Sequence, residues 1–353
     1  IDPVLDYIAD LANTVIATSE VDLDGVRAHV RTMETNQGNL NADALLWQAR
    51  QLASQFDVPE ADVAIQNGGG IRNDSVIPAG PITLLDTYDM LPFGNFLTVF
   101  EDIDRENLKE VLENCVSRVE FVDGRFGQVA GMRFLYDAMG TPQELDDDGN
   151  VVVPGTRVRE IVLMDEPQTV ICVDGAVVPG EGVTLAIVDF LARGGDQYPF
   201  HDQPFVILGV SYQQALANYV IDGLGGMITA DAYPEGGEGR IVTGGTVAIE
   251  NPDRPAEETP VAVIELGQNY PNPFNPTTSI AFSLDRAEPV RLSVFDLQGR
   301  RVRTLVDEPR AAGEHVVTWN GLNDRGVRAA SGTYLYRLET GSLVLNRTMT
   351  LVK

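Results

Sequence analysis

The sequence predicts a mixed α+β domain over residues 1–243, followed by a small all-β sandwich over residues 266–353. Three observations carry that division. Helical and strand periodicities are mixed through the first part. The stretch ENPDRPAEETP is Pro-rich, acidic and poor in apolar residues, which marks a linker over residues 244–265. Beyond it the texture is all strand-like, and turn signals (LQGR, AAGE, NDRG, ASG) recur at short intervals, as in a β-sandwich.

Taken in order, IDPVLDYIADLANTVIATSE has an amphipathic helix pattern and does not read as a signal peptide. NQGNLNADALLWQARQLA reads as a second helix, opened by Gly38 and Asn39. The apolar run Val63-Ala64-Ile65 leads into QNGGGIRND, where three successive glycines stand just before Arg72. A tight turn needs one or two glycines, so three imply that something approaches the backbone closely. DIDRENLKEVLENCV is a helix: Asp104 caps it, Glu106 complements its dipole, and Leu108, Val111, Leu112 and Cys115 share a face. GMRFLYD, TRVREIVLM and TVICVDG read as strands, and LDDDGNVVV as a hairpin turning at Asp148-Gly149. The acids of that turn do not fit a calcium loop, because Gly149 comes too early. In the sandwich, Val290, Leu292 and Val294 alternate, and Tyr334, Tyr336 and Leu338 fall on one face.

A length of 353 residues allows two or three domains, and 44% hydrophobic content supports a sizeable core. The net charge of -27 is uneven: residues 251–353 carry 12 acids against 12 Lys plus Arg, so the whole excess lies upstream. Such an acidic surface argues against a nucleic-acid polymer or an anionic membrane as partner, though not against a small anion held by a local Arg cluster. Lys occurs only at Lys109 and Lys353, so Arg supplies nearly all positive charge. Cys115 and Cys172 are far apart in sequence and are expected to be free, buried thiols. No apolar run reaches the length of about 18 residues that a transmembrane helix needs, so no transmembrane segment is expected. The chain starts at Ile1 rather than Met, from which a leader or a further domain upstream is expected.

Four motifs in order, LDGVRAHVRTMETNQGNLNADA, QNGGGIRND, DTYDMLPFGN and IVDFLARGGDQY, resemble the C-terminal, substrate-binding domain of the 5′-nucleotidase family. That family also includes UDP-sugar hydrolases and 2′,3′-cyclic-nucleotide phosphodiesterases. The resemblance implies a nucleotide or nucleoside ligand. Gly68, Gly69 and Gly70 would let the backbone approach it. Asn67 and Arg72 would contact the base and the ribose or phosphate side. Arg27 and Arg31 match two further arginines of bacterial members, and would share a face if their segment is helical. A guanidinium suits a phosphate or carboxylate better than an ammonium does. Phe93 and Phe190 match two aromatic residues that sandwich the base, a stacking worth about 1–3 kcal/mol per base. Asn95 sits in a matching position beside Phe93, and Asp196 matches a carboxylate that accepts from ribose hydroxyls or base. Two positions depart from the pattern: Gln197 stands between Asp196 and Tyr198, and Met33 replaces an Arg of the animal enzymes, which makes the site look bacterial.

In that family hydrolysis belongs to an N-terminal domain holding two divalent metal ions. His29, His201 and His315 are the histidines here, and none lies in a metal-ligand motif. The resemblance therefore implies a chain without catalytic residues or metal of its own, the nucleotide-binding part of a longer phosphoester hydrolase. Two rivals are a secreted or surface nucleotide-binding or adhesion protein without catalysis, and a purely structural spacer.

LGQNYPNPFNPTTSIAFSL alternates Asn and Pro, which excludes helix. With VFDLQGRRVRTLV, AGEHVVTWNGLNDRG, ASGTYLYRL and RTMTLVK it resembles the C-terminal sorting domain of type IX secretion, and is similar to the immunoglobulin-like domain of flagellar hook-cap proteins. This implies the type IX secretion machinery as a partner, and a secreted or cell-surface location reached through the periplasm.

Overall fold

VAIQN and VTLAIV are short apolar runs, the signature of strands covered on both faces. In the computed structural model they pair in parallel, Val63–Asn67 beside Val183–Val188, at the heart of a five-stranded sheet. The structure describes residues 3–146, 149–165, 167–244, 265–267, 269, 272–284, 287–296, 300–311, 313–340 and 344–352. Its contacts divide the chain into two units, Ile1–Ile249 and Glu250–Lys353. The predicted linker lies outside the described residues except for Gly244 and Glu265, as do Asp148 and residues 297–299 and 312 of the predicted turns.

The central sheet of the first unit runs Val206–Ser211, Phe96–Ile103, Val183–Val188, Val63–Asn67, Gly127–Ala130. All its pairings are antiparallel except the central one. The C-terminal ends of Val63–Asn67 and Val183–Val188 therefore lie at one edge, together with the N-terminal ends of Phe96–Ile103 and Gly127–Ala130. The register fixes this, since Val188 faces Leu97 and Asn67 faces Gly127. A second five-stranded sheet contains Met132–Tyr136, Val158–Leu163 and Val170–Val173, the three strands expected there.

The long helix Asn36–Phe56 packs on Val63–Asn67 and Gly127–Ala130. It starts earlier than expected, because Thr35 rather than the Gly38-Asn39 pair opens it: the Thr35 hydroxyl accepts from the Gly38 N–H at 3.0 Å. The helix Arg105–Val116 is capped as predicted, by Asp104 accepting from the Asn107 N–H at 2.7 Å. The opening helix is shorter than its pattern. It spans Pro3–Asn13, and Asn13 and Thr14 turn back on the carbonyls of Ala9 and Asp10 at 2.6 and 2.8 Å. The next residues, rich in β-branched side chains, form the strand Val15–Ser19. Glu144–Leu145 and Val151–Val153 pair antiparallel, and Gly149 between them has φ +83. Cys115 and Cys172 are both free and buried.

The second unit is all β. One sheet runs Arg301–Arg310, Glu288–Phe295, Gly332–Glu339, Val344–Leu351, and another Glu265–Leu266, Thr278–Leu284, Gly313–Trp319, with every pairing antiparallel. Val290, Leu292, Val294, Tyr334, Tyr336 and Leu338 are buried, as their alternation predicts. Trp319 packs on Phe274 and Tyr334 with ring centroids 5.4 Å apart in each case, and its Nε1 donates to the Leu322 carbonyl at 2.9 Å.

Candidate functional site

The three glycines follow directly from the strand Val63–Asn67, and none of them has positive φ. Space, not backbone conformation, demands them. A Cβ on Gly68 would lie 2.2 Å from the Val30 carbonyl oxygen, one on Gly69 3.0 Å from Gly124, and one on Gly70 2.4 Å from the Gln66 amide. The atoms that come close are thus the protein's own. Gly68 admits the segment carrying Arg31, and Gly69 admits the loop 123–126, whose carbonyls at Gly124 and Phe126 accept from the Gly69 and Gly68 N–H groups at 2.7 Å. At their Cβ positions, then, these glycines make room for the protein's own segments.

Arg27 and Arg31 stand on hydrogen-bonded turns, not on a regular helix. Gln128 clamps this segment from the sheet: its Nε2 donates to the carbonyls of Val30 and Met33 at 3.1 and 2.8 Å. Arg27 is exposed, and its N–H donates to Asp74 at 2.8 Å. Arg31 is buried, with one long bond from Nη1 to the Val122 carbonyl (3.4 Å) and, among the described residues, no acceptor for its Nε. Burial, then repulsion from Arg27 and Arg72, pulls the Arg31 guanidinium below its ordinary value, against the pull of Asp196 and Asp123. Arg27, Arg72 and Asp196 each act on Arg31 electrostatically, in a chain that is otherwise strongly acidic. Such a cluster is poised for an anion.

Arg72 is exposed and lies over the Phe93 ring, 5.3 Å from its centroid. Phe93 and Phe190 are each 44% exposed, and Phe96 and Phe121 of the same unit are exposed too, whereas Phe100, Phe126, Phe134 and Phe200 are covered. Both leave the same sheet edge, Phe93 just before Phe96–Ile103 and Phe190 just after Val183–Val188. The Asp189 carboxylate accepts from the Phe96 N–H at 2.9 Å and ties the two strand ends together. The Phe190 ring lies against Gly195, where a Cβ would sit 2.6 Å from it. Asn95 enters through its backbone, its carbonyl accepting from the Tyr212 N–H at 3.0 Å.

Asn67 is buried and donates through Nδ2 to Asp196 Oδ2 at 2.6 Å, while Gln66 Nε2 donates to Asn67 Oδ1 at 3.1 Å. Among the described residues no hydrogen bond engages Asp196 Oδ1, so one carboxylate oxygen is left for a ligand.

Sequence reasoning missed Tyr212. Its oxygen accepts from the Phe93 N–H at 2.9 Å and its hydroxyl reaches the Gly70 carbonyl at 3.4 Å, joining the Phe93 loop to the glycine loop. Nothing local in VSYQQALANY signals that role. Asn114, Arg125 and Gln128, buried polar residues behind the site, were missed for the same reason. Among the described residues no group of three or more His, Cys, Asp or Glu gathers as a metal site, so these residues do not fit a divalent metal pair. No helix among them is long and apolar enough to cross a membrane.

Known proteins resemble the two regions separately. The family model "5'-nucleotidase, C-terminal domain" matches residues 15–203, and the model "FlgD Ig-like domain" matches residues 268–342. The trifunctional nucleotide phosphoesterase protein YfkN of Bacillus subtilis is 34% identical over 198 residues, 56% of this chain and 12% of that protein. The snake venom 5′-nucleotidase of Crotalus adamanteus is 30% identical over 185 residues, 52% of this chain and 29% of its own length. The crystal structure of a 5′-nucleotidase precursor from Thermus thermophilus superposes with a TM-score of 0.54 at 32% identity, covering 67% of this chain and 41% of that one. The chain thus spans less than a third of the length of these two curated relatives.

Proposed function

The chain belongs to the 5′-nucleotidase C-terminal domain family, and from that premise we propose that it binds a nucleotide at the sheet edge that carries Phe93, Phe190, Arg72, Asn67 and Asp196. The observation that carries the reading is the convergence of four strand ends there. They bring the exposed Phe93 and Phe190 rings, Arg72 and a carboxylate with one oxygen available to a single edge, and the turn segment that carries Arg27 and Arg31 adds two further arginines. A base stacks on Phe93 and Phe190. The Asn67–Asp196 pair meets hydroxyl or amine donors, and Arg27, Arg31 and Arg72 meet the phosphate.

In this reading the chain is the nucleotide-binding and sorting portion of a secreted 5′-nucleotidase-like phosphoester hydrolase. The relatives named above extend far beyond the matched region, which supports a partner domain that holds two divalent metal ions and activates the attacking water. The opening helix leaves Val4, Leu5, Tyr7 and Ile8 exposed, an apolar face suited to covering by such a domain. The β unit serves as the sorting domain read by the type IX secretion machinery, and its match to the FlgD Ig-like domain supports the immunoglobulin-like part of that assignment.

The decisive experiment titrates AMP into the 353-residue chain by calorimetry and then incubates the two with Mn²⁺ while assaying phosphate. One-to-one binding without phosphate release is expected. Absence of binding would remove the nucleotide reading, and rapid release would place catalysis inside this chain. For export, a strain carrying the gene without residues 266–353 is expected to accumulate the product in the periplasm; normal secretion of that product would remove the sorting role.

A further inference from the structure

Asp196 has φ 50 and ψ 25, and Gln197 after it has φ 58, two successive non-glycine residues in left-handed backbone. L side chains rarely adopt this conformation, and it persists where the surroundings over-determine it. A bracket of side chains does so here. Asn114, fully buried on the helix Arg105–Val116, donates Nδ2 to the Asp196 carbonyl at 3.1 Å. Arg125 donates Nη2 to Gln197 Oε1 at 3.0 Å and Nη1 to Asn114 Oδ1 at 3.1 Å, so the two arms brace each other. Two further donors of Arg125 are committed, Nη1 to Ser117 Oγ at 3.3 Å and Nε to Asp123 at 3.2 Å. Tyr198 closes the bracket by donating its hydroxyl to the Arg125 carbonyl at 2.9 Å.

We propose that Arg125 and Gln197, braced by Asn114, are positioning residues that hold the Asp196 carboxylate at the ligand-binding edge. Arg125 is buried and spends four of its five N–H donors on Asp123, Asn114, Ser117 and Gln197, so it acts through Gln197 rather than as an anion ligand. The Gln197 side chain is the arm through which Arg125 pins the turn. Without it, the left-handed pair loses one of its restraints and the carboxylate samples other directions. The inference rests on the nucleotide-binding reading above, with Asp196 as a ligand contact.

The test uses the whole chain and adenosine as the probe, since a nucleoside lacks the phosphate that the arginines would hold. Gln197 is exposed, so Gln197→Ala keeps the fold, which an unchanged melting profile verifies. Gln197→Ala is expected to weaken adenosine binding about tenfold, as loss of a hydrogen bond to a charged group does. Gln197→Glu, which keeps an oxygen for Arg125, is expected to stay within about threefold of the wild type. The double variant Gln197→Ala/Asp196→Asn is expected to bind no more weakly than Asp196→Asn alone, because both changes act on one carboxylate. Unchanged affinity in Gln197→Ala, or full additivity with Asp196→Asn, overturns the positioning role. Unchanged affinity in Asp196→Asn overturns it too, while leaving the nucleotide reading intact. Failure of the wild-type chain to bind either adenosine or AMP overturns the nucleotide reading itself, and the positioning role with it.

Discussion

In the first unit Gln37, Asn41, Gln66, Asn114 and Gln128 are as fully covered as any leucine, each at 0% exposure, whereas the described side chains of the second unit at 0% are Ile280, Leu284, Leu292, Val294, Tyr336 and Leu338. A buried amide is costly unless it is bonded, and a regular ladder satisfies its own backbone without help from side chains. The second unit is made of such ladders. In the first, Gln128 holds the Val30 and Met33 carbonyls of the Arg31 turn and Asn114 holds the Asp196 carbonyl, Gln37 exchanges side-chain bonds with Asn73, and Asn41 has no partner for its amide among the described residues. Gln128 and Asn114 therefore mark where this unit departs from regular structure, and those departures border the candidate site.

The contrast can be broken or sharpened by experiment. Trp319→Ala removes the largest fully covered side chain of the second unit and is expected to cost that unit about 3–5 kcal/mol. Calorimetry would show its transition moving while adenosine affinity stays constant; a matching loss of affinity would break the separation of the two units. Gly68→Ala is next. Its Cβ meets the Val30 carbonyl oxygen at 2.2 Å, and neither backbone gives easily, so the first unit is expected to lose about 3 kcal/mol. That corresponds to a fall of roughly 6–12 °C in its melting temperature for a unit of this size, with the second transition fixed. An undisturbed melt would mean that the glycine loop is looser than its geometry implies.

Phe190→Ala touches neither core, since the ring is 44% exposed. It is expected to weaken adenosine binding by about 1–3 kcal/mol with little change in either melt. Equal affinity would remove the stacking role. The smallest effect concerns Cys115, whose thiol burial pushes up to about 12. A raised thiol pKa means less thiolate at neutral pH, so the native chain is expected to keep its mass in iodoacetamide at pH 8 and to be alkylated once unfolded. Native labelling at the rate of a free thiol would show the first core opening.

Much of this was legible in the chain itself, for physical reasons. Leu108, Val111, Leu112 and Cys115 reveal their helix, and Val290, Leu292 and Val294 their strand, because a single buried face imposes a period on the sequence. The end of the first helix was not legible: Asn13 and Thr14 end it through side-chain bonds that no period records. The glycines showed that something comes close, yet not what. Val30, Gly124 and Gln66 are the neighbours, and only the pairing of strands brings the first two there. Phe93, Phe190 and Asp196 were read from their motifs. Tyr212, Asn114 and Arg125 were not, because their roles depend on contacts with residues up to 142 positions away.

The sheet edge has a consequence for how such a protein diverges. Three of the lining segments are the ends of different strands: Asn67 to Arg72 from one, Phe93 to Asn95 from a second, Phe190 to Gln197 from a third. Rewriting one of these loops leaves the register beneath it intact, while the Asn67–Asp196 bond and the Tyr212 hydroxyl carry part of the change to the neighbouring loop. In the nucleotide-binding reading, preference for a base, a sugar or a phosphate then changes segment by segment, within the limits those bonds set. Selection can shift that preference loop by loop, while Val63–Asn67 and Val183–Val188 stay as they are.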